Sequence, residues 1–200
     1  MDYMSDELSE LLGLQSKIKS KVIHELLDIK ENSQILVIET NEDMQTVRKE
    51  IVLSLTNSYF SGVYFTTNMP AETLQADLKV ADIDINKLQF IDSITKESVG
   101  DHTEDTKTVT YLESPTQLSD LNILIERALS RLQGSKKFVF VDSVTTLLIY
   151  NQEKSVEKLI HRIVEKNRLK KIVTVILVTK STNQELIQCI AQFCDKIITI

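Results

Sequence analysis

Apolar residues recur along this chain in two rhythms, and the rhythms divide it into elements. Residues 5–30, SDELSELLGLQSKIKSKVIHELLDIK, carry Leu8, Leu11, Leu12, Ile18, Val22, Ile23, Leu26 and Leu27 at helical spacing. Such a stripe predicts an amphipathic helix, packed on the domain or extending from it. Asp6 and Glu7 fall in its first turn, where the helix dipole favours acids, and Gly13 is a point where it can kink. The expected division is therefore an N-terminal helix over 1–30 and one domain over 31–200.

From residue 34 on, short apolar runs alternate with helical patterns. QILVIE, GVYFTT, KLQFID, KKFVFVDS, IVTVILVTK and DKIITI read as strands. MQTVRKEIVLSLTNSY, PAETLQADLKVADI, LSDLNILIERALSRLQG, SVEKLIHRIVEKNRL and NQELIQCIAQFC read as helices, with Pro70 starting one and Gly134 stopping another. The runs at 35–39, 138–141 and 172–178 are continuously apolar, the pattern of central parallel strands covered on both faces. Strands that alternate with helices imply right-handed crossovers. The expected fold is thus an α/β three-layer sandwich, with a mainly parallel central sheet flanked by helices on both faces. Residues 95–116, TKESVGDHTEDTKTVTYLESPT, break the alternation and are expected to be a mobile polar loop or irregular hairpin.

Composition narrows the function classes. The 200 residues carry a net charge of −6, which disfavours a nucleic-acid partner. No apolar run approaches the ~20 residues that span a bilayer, and the acidic start MDYMSDELSELL is unlike a signal peptide. A cytoplasmic protein without membrane partners is expected. Cys189 and Cys194, five apart on one predicted helix, have neither metal-ligand nor redox-pair spacing and read as buried small hydrophobes. His24, His102 and His161 sit on different elements, and no nucleophile–base pair is argued by spacing.

In an open parallel sheet, ligands bind beyond the carboxyl ends of the strands. Those ends read ETNEDMQT, Asn68-Met69, Asp142-Ser143 and Lys180-Ser181-Thr182. Three segments around them, GVYFTTNMPAETLQADLKVADIDINKLQFIDS, FVFVDSVTTLLIY and VTVILVTKSTNQELIQCIAQFCDKIITI, resemble the RecA superfamily, and within it the KaiC-like ATPase domains. The resemblance covers roughly residues 20–200 and implies a RecA-like sheet.

The family's phosphate loop is GxxxxGK[ST]. Its glycines let backbone N–H groups reach the phosphates, its lysine neutralises them and its hydroxyl holds magnesium. The matching residues here run from Glu39 to Thr46. Glu39 and Met44 stand at the glycine positions, Gln45 at the lysine, and only Thr46 fits. The family's catalytic glutamate follows the second strand, where Asn68 and Met69 stand, and neither is a general base. Asp142, followed by Ser143, matches the Walker B aspartate, although a cap at a strand end would look the same. The family's basic finger comes from strands beyond the last one matched, and no segment here carries it. Glu42 and Asp43 stand where a helix N-terminus would receive phosphate. A carboxylate ~5 Å from a phosphate charge costs about 3 kcal/mol at an effective dielectric near 20.

These readings lead to a set of expectations. Glu39, Glu42, Asp43, Met44, Gln45, Thr46, Asn68, Met69, Asp142 and Ser143 form a vestigial nucleotide site with a degenerate Walker A motif. No catalytic residue, cofactor or metal is expected, and ATP with magnesium is not expected to bind. Glu39, Glu42, Asp43 and Asp142 are read as a solvated acidic patch in preference to a divalent-cation site. The basic runs Lys136-Lys137 and Arg168 to Lys171 are read as solvated turn charges. The resemblance then implies a pseudo-ATPase with an archaeal-type regulatory or scaffolding role in signal transduction, acting through a protein partner, an active homologue or a homo-oligomer. The alternative is a nucleotide- or divalent-metal-responsive sensor that binds without hydrolysis. An enzyme with rebuilt chemistry on Asp142 and Glu39 ranks last.

Overall fold

The computed structural model describes residues 3–40, 43–99 and 103–200, with the side chains of residues 3–10, 98 and 99 outside the description. Seven strands form one sheet: β1 Gln34–Glu39, β2 Ser61–Thr66, β3 Leu88–Asp92, β4 Val109–Tyr111, β5 Lys137–Asp142, β6 Val173–Thr179 and β7 Lys196–Thr199. Their order is β4-β3-β2-β5-β6-β1-β7, and every pairing is parallel. The three continuously apolar strands, β5, β6 and β1, lie side by side at the centre, as two-sided burial requires.

Helices cover both faces. α1 (Tyr3–Leu26), α2 (Met44–Asn57) and α3 (Ala71–Val80) pack on one face, against Ile35, Val37, Tyr64, Phe90, Phe138 and Phe140. α5 (Leu118–Arg131), α6 (Val144–Tyr150), α7 (Glu153–Leu169) and α8 (Gln184–Ala191) pack on the other, against Leu36, Val63, Phe65, Val139, Val141 and Ile176. The alternation of those numbers along each strand is the period-two projection of side chains. The fold is the expected α/β sandwich.

Several expectations need correction. α1 stops at Leu26 and runs without a break through Gly13. Only part of its stripe is used: Ile18, Val22 and Leu26, at i and i+4 spacing, are buried, whereas Leu11, Leu12, Ile23 and Leu27 are exposed. A helix that touches its domain along one narrow line buries only that line. Residues 95–116 are not an irregular hairpin. They hold a short helix α4 (Thr95–Val99) and the edge strand β4, which is parallel to β3. The ordering group is Asp92, fully buried at the end of β3. Its carboxylate accepts from the N–H groups of Ala71, Ile94 and Thr95 at 2.7–2.9 Å and from the Thr95 hydroxyl at 2.7 Å. The apolar stretch after Asp142 forms α6, which the sequence reading did not separate. Gly134 lies past the end of α5, in the turn to β5, where its φ of 86° suits glycine.

The basic runs are engaged rather than only solvated. Lys137 donates to the Leu129 carbonyl at 2.8 Å, and Lys136 lies 5.5 Å over the Phe60 ring. Arg168 pairs with Asp195 at 2.9 Å and Lys170 with Glu126 at 3.1 Å.

Candidate functional site

The helix after β1 leaves toward one face of the sheet, and those after β5 and β6 leave toward the other. A crevice therefore opens beyond the carboxyl ends of these strands, the place where such sheets bind ligands. Glu39 closes β1 and Asp142 closes β5, with β6 between them. Both side chains point to the α2 face, because Ile35, Val37 and Glu39 share a face, as do Phe138, Phe140 and Asp142.

Both acids are buried, each about 3% exposed, so the expected solvated acidic patch does not exist in that form. The reason is Arg48, in the second turn of α2. Its Nε donates to Asp142 Oδ1 at 2.8 Å, and its Nη2 lies 3.9 Å from Glu39 Oε2. One guanidinium thus spans the end of β6 and links the two strand-end carboxylates. Burial works against the Arg48 charge, but Asp142 and Glu39 outweigh it and raise its pKa.

Asp142 is held from three sides. Besides Arg48, the Tyr64 hydroxyl donates to Oδ2 at 2.5 Å and Asn68 Nδ2 donates to Oδ1 at 3.1 Å. Burial first, and then the Asp142 charge, push the Tyr64 hydroxyl well above its ordinary pKa, so it stays a donor. The Asp142 carbonyl accepts from the Thr67 N–H at 2.7 Å and its hydroxyl at 2.9 Å. The Asp142–Ser143 peptide bond is cis. Ser143 starts α6, donating its N–H to the Thr67 hydroxyl at 2.8 Å, and Asn68 accepts from the Thr146 hydroxyl.

Glu39 is the poorly satisfied member. Neither of its carboxylate oxygens has a hydrogen-bond partner among the described residues. Burial raises its pKa to about 7, Arg48 opposing and Asp142 adding to the rise.

The start of α2 is a separate cluster. Asp43 caps it, accepting from the Thr46 N–H at 3.1 Å and its hydroxyl at 2.8 Å. Gln15 of α1 donates to the same carboxylate at 2.9 Å. Burial alone would raise the Asp43 pKa, but the hydrogen bonds from Thr46 and Gln15 outweigh it and lower it. Met44 and Gln45 are exposed, and Glu42 lies outside the described residues.

Of the predicted residues, Glu39, Asn68, Asp142 and Ser143 converge, Gln45 and Met69 line the cavity beside them, and Asp43 and Thr46 pair with each other. The cavity, about 170 Å³, is bounded by Arg48, Tyr64, Asn68, Met69 and Asp142, with Leu74 and Leu78 behind. Small-molecule sites are typically 300–1,000 Å³, larger than this cavity but matched in size by the adjoining cleft of about 560 Å³ along Gln15, Asp43, Met44, Gln45 and Arg48. No group of three or more His, Cys, Asp or Glu among the described residues is arranged to hold a metal. Cys194 lies past the end of α8, not on it, and burial pushes its thiol up to about 12. His161 packs edge-on against Phe193, and His102 lies outside the described residues.

Sequence reasoning missed Arg48 and Tyr64, though both leave a signal. Arg48 precedes Val52 by four and Leu55 by seven, which places a cation on the buried stripe of α2. Tyr64 is a polar tip inside a continuously buried strand, and such a hydroxyl needs a partner.

A model of the Family of unknown function (DUF7504) matches residues 31–200. The chain belongs to this DUF7504 family. Among solved structures, the fold is similar to a KaiC-like protein from the hyperthermophilic archaeon Pyrococcus horikoshii OT3, with a TM-score of 0.59 at 10% identity. That match covers 84% of this chain and 70% of the other. It shows that this DUF7504 member has a KaiC-like, RecA-type fold. No curated protein matches the chain. No helix among the described residues is long and apolar enough to cross a membrane.

Proposed function

We propose that this DUF7504 member is a non-catalytic, RecA/KaiC-like pseudo-ATPase. It acts as a regulatory or scaffolding protein, in a signalling or assembly role, through contacts with a protein partner, an active homologue or copies of itself.

The observation that supports this reading best is the Arg48 bridge. The strand-end aspartate that would hold magnesium by resemblance is engaged at both oxygens by donors of this chain: Arg48 and Asn68 at Oδ1 and Tyr64 at Oδ2. Magnesium needs free carboxylate oxygen and near-octahedral room. At the start of α2, the N–H that would meet phosphate is already capped by the Asp43 carboxylate. The segment Glu39–Thr46 holds no glycine and no lysine. Thr46 and Asp142, which alone favoured a binding-only sensor, are both occupied by protein partners.

The test is ATP binding and turnover in magnesium. The reading predicts neither. Turnover that Asp142→Ala abolishes would overturn it.

A further inference from the structure

α1 and α2 run side by side in the same direction. Gln15 donates to Asp43 at 2.9 Å, and a turn further along Lys19 Nζ lies 3.9 Å from Glu50 Oε1. Beside and beyond that pair the two helices leave a groove of about 310 Å³. Lys19, Ile23 and, just past the end of α1, Leu27 form one wall, and Glu50, Leu53 and Ser54 of α2 form the other. The rim is apolar and open, with Ile23 39% and Leu27 66% exposed.

The groove also holds polar atoms that lack donors. Glu50 Oε2 and Ser54 Oγ, one turn apart on α2, are buried and have no hydrogen-bond partner among the described residues. Lys19 does not satisfy Glu50: at 3.9 Å it is beyond hydrogen-bond range, and 55% of its side chain is exposed. A buried acceptor without a donor is costly. The groove therefore calls for two things at once, a cation beside Glu50 and apolar cover for Ile23 and Leu27.

We propose that this groove is a self-association surface, on which the α1–α2 pair of a second copy lies so that each Glu50 receives the other copy's Lys19. Charge selects both the occupant and its orientation. Two copies of one chain close by a two-fold axis. An axis across the helices, centred on the Lys19–Glu50 pair, would set Lys19 against Lys19 and Glu50 against Glu50. An axis along the helices sets each Lys19 against the second copy's Glu50, because the two residues already stand level within one copy. Four charges then alternate around the axis, and each Glu50 faces two cations. The same axis fixes the apolar contact. Ile23 and Leu27, one and two turns beyond Lys19, fall level with the second copy's Leu53 and the turn that follows it, one turn beyond Glu50. The charged pair and the apolar rim are thus complementary to themselves in one arrangement.

The proposal rests on the reading that this chain works through its surfaces, and it names a second copy as the partner. Its test uses no nucleotide. ATP binding would therefore overturn the pseudo-ATPase reading alone, and sedimentation bears on the dimer alone.

Sedimentation equilibrium of the whole chain is the measurement, and the wild type is expected to dimerise. Lys19→Glu and Glu50→Lys each gather four like charges at the axis, so each should raise the dissociation constant about tenfold or more. Mixed one to one, the two variants restore the alternation in a mixed dimer, which should form within about threefold of the wild-type constant. Pairing confined to one chain gives no such recovery. Leu27→Asp changes an exposed position, so its circular-dichroism melt should match the wild type while its dimer weakens by a similar factor. A wild type that stays monomeric to about 100 μM overturns the proposal and leaves the groove to a different protein. So does a mixture that associates no more tightly than either variant alone, or a dimer that Leu27→Asp leaves unchanged.

Discussion

Arg48 is the residue on which the candidate site depends. It neutralises Asp142 and faces Glu39 where little water reaches either acid. Removing one partner of a buried ion pair leaves the other charge uncompensated, a loss of about 3–5 kcal/mol. Arg48→Ala should cost stability in that range by urea unfolding, and a cost under about 1 kcal/mol would contradict the bridge. Glu39 makes a second prediction, through pH. Its folded pKa, about 7, lies above the ordinary 4.5, so the folded protein binds the extra proton between those values. Below pH 4.5 the residue is neutral in both states and costs nothing. As pH rises through 7 that stability is lost, on the order of 3 kcal/mol for a shift of this size. Glu39→Gln should remove the fall, so that the mutant gains on the wild type between pH 4.5 and 7.5. A constant difference between the two across that range would show that Glu39 titrates normally. At this scale the sequence was half legible. It displayed the acids and the missing glycines and lysine of the turn. It did not display the neighbour of Asp142, because contact across 94 residues of chain depends on which face of α2 meets the sheet.

At the scale of elements, the strands and most helices were legible because burial imposes its period on the sequence. Central strands covered twice are apolar throughout, and helices covered once carry a stripe. The failures have physical causes. β4 has three residues, too few to show a period, and its place was set by the Asp92 cap and the side chains of Asp105 and Thr106. α6 was hidden because its seven residues make only about two turns, too few to show a helical stripe. Gly62 shows a further effect that periodicity does not reveal. It pairs with Phe138 across β2 and β5, and a Cβ there would lie 2.1 Å from the Phe138 ring. Phe138 is fully buried, so the ring has little room to move. Gly62→Ala should therefore cost about 1–3 kcal/mol despite alanine's better strand entropy, measured by thermal or urea unfolding. An unchanged or raised stability would mean that the ring yields freely.

At the scale of the whole molecule, the fold is KaiC-like, and on the function proposed here the groups that would grip a nucleotide are turned inward. Where a phosphate and a magnesium ion would meet opposite charge, this chain supplies its own: Asp43 to the helix terminus and Arg48 to the strand-end acid. That combination is consistent with a protein whose work is done by its surfaces. The most direct measurement is titration calorimetry of the wild-type chain with ATP and magnesium, each at millimolar concentration. The account predicts no binding heat above dilution. A saturable heat that disappears in Asp142→Ala would contradict it, because it would mean that the Arg48 bridge opens to admit the nucleotide.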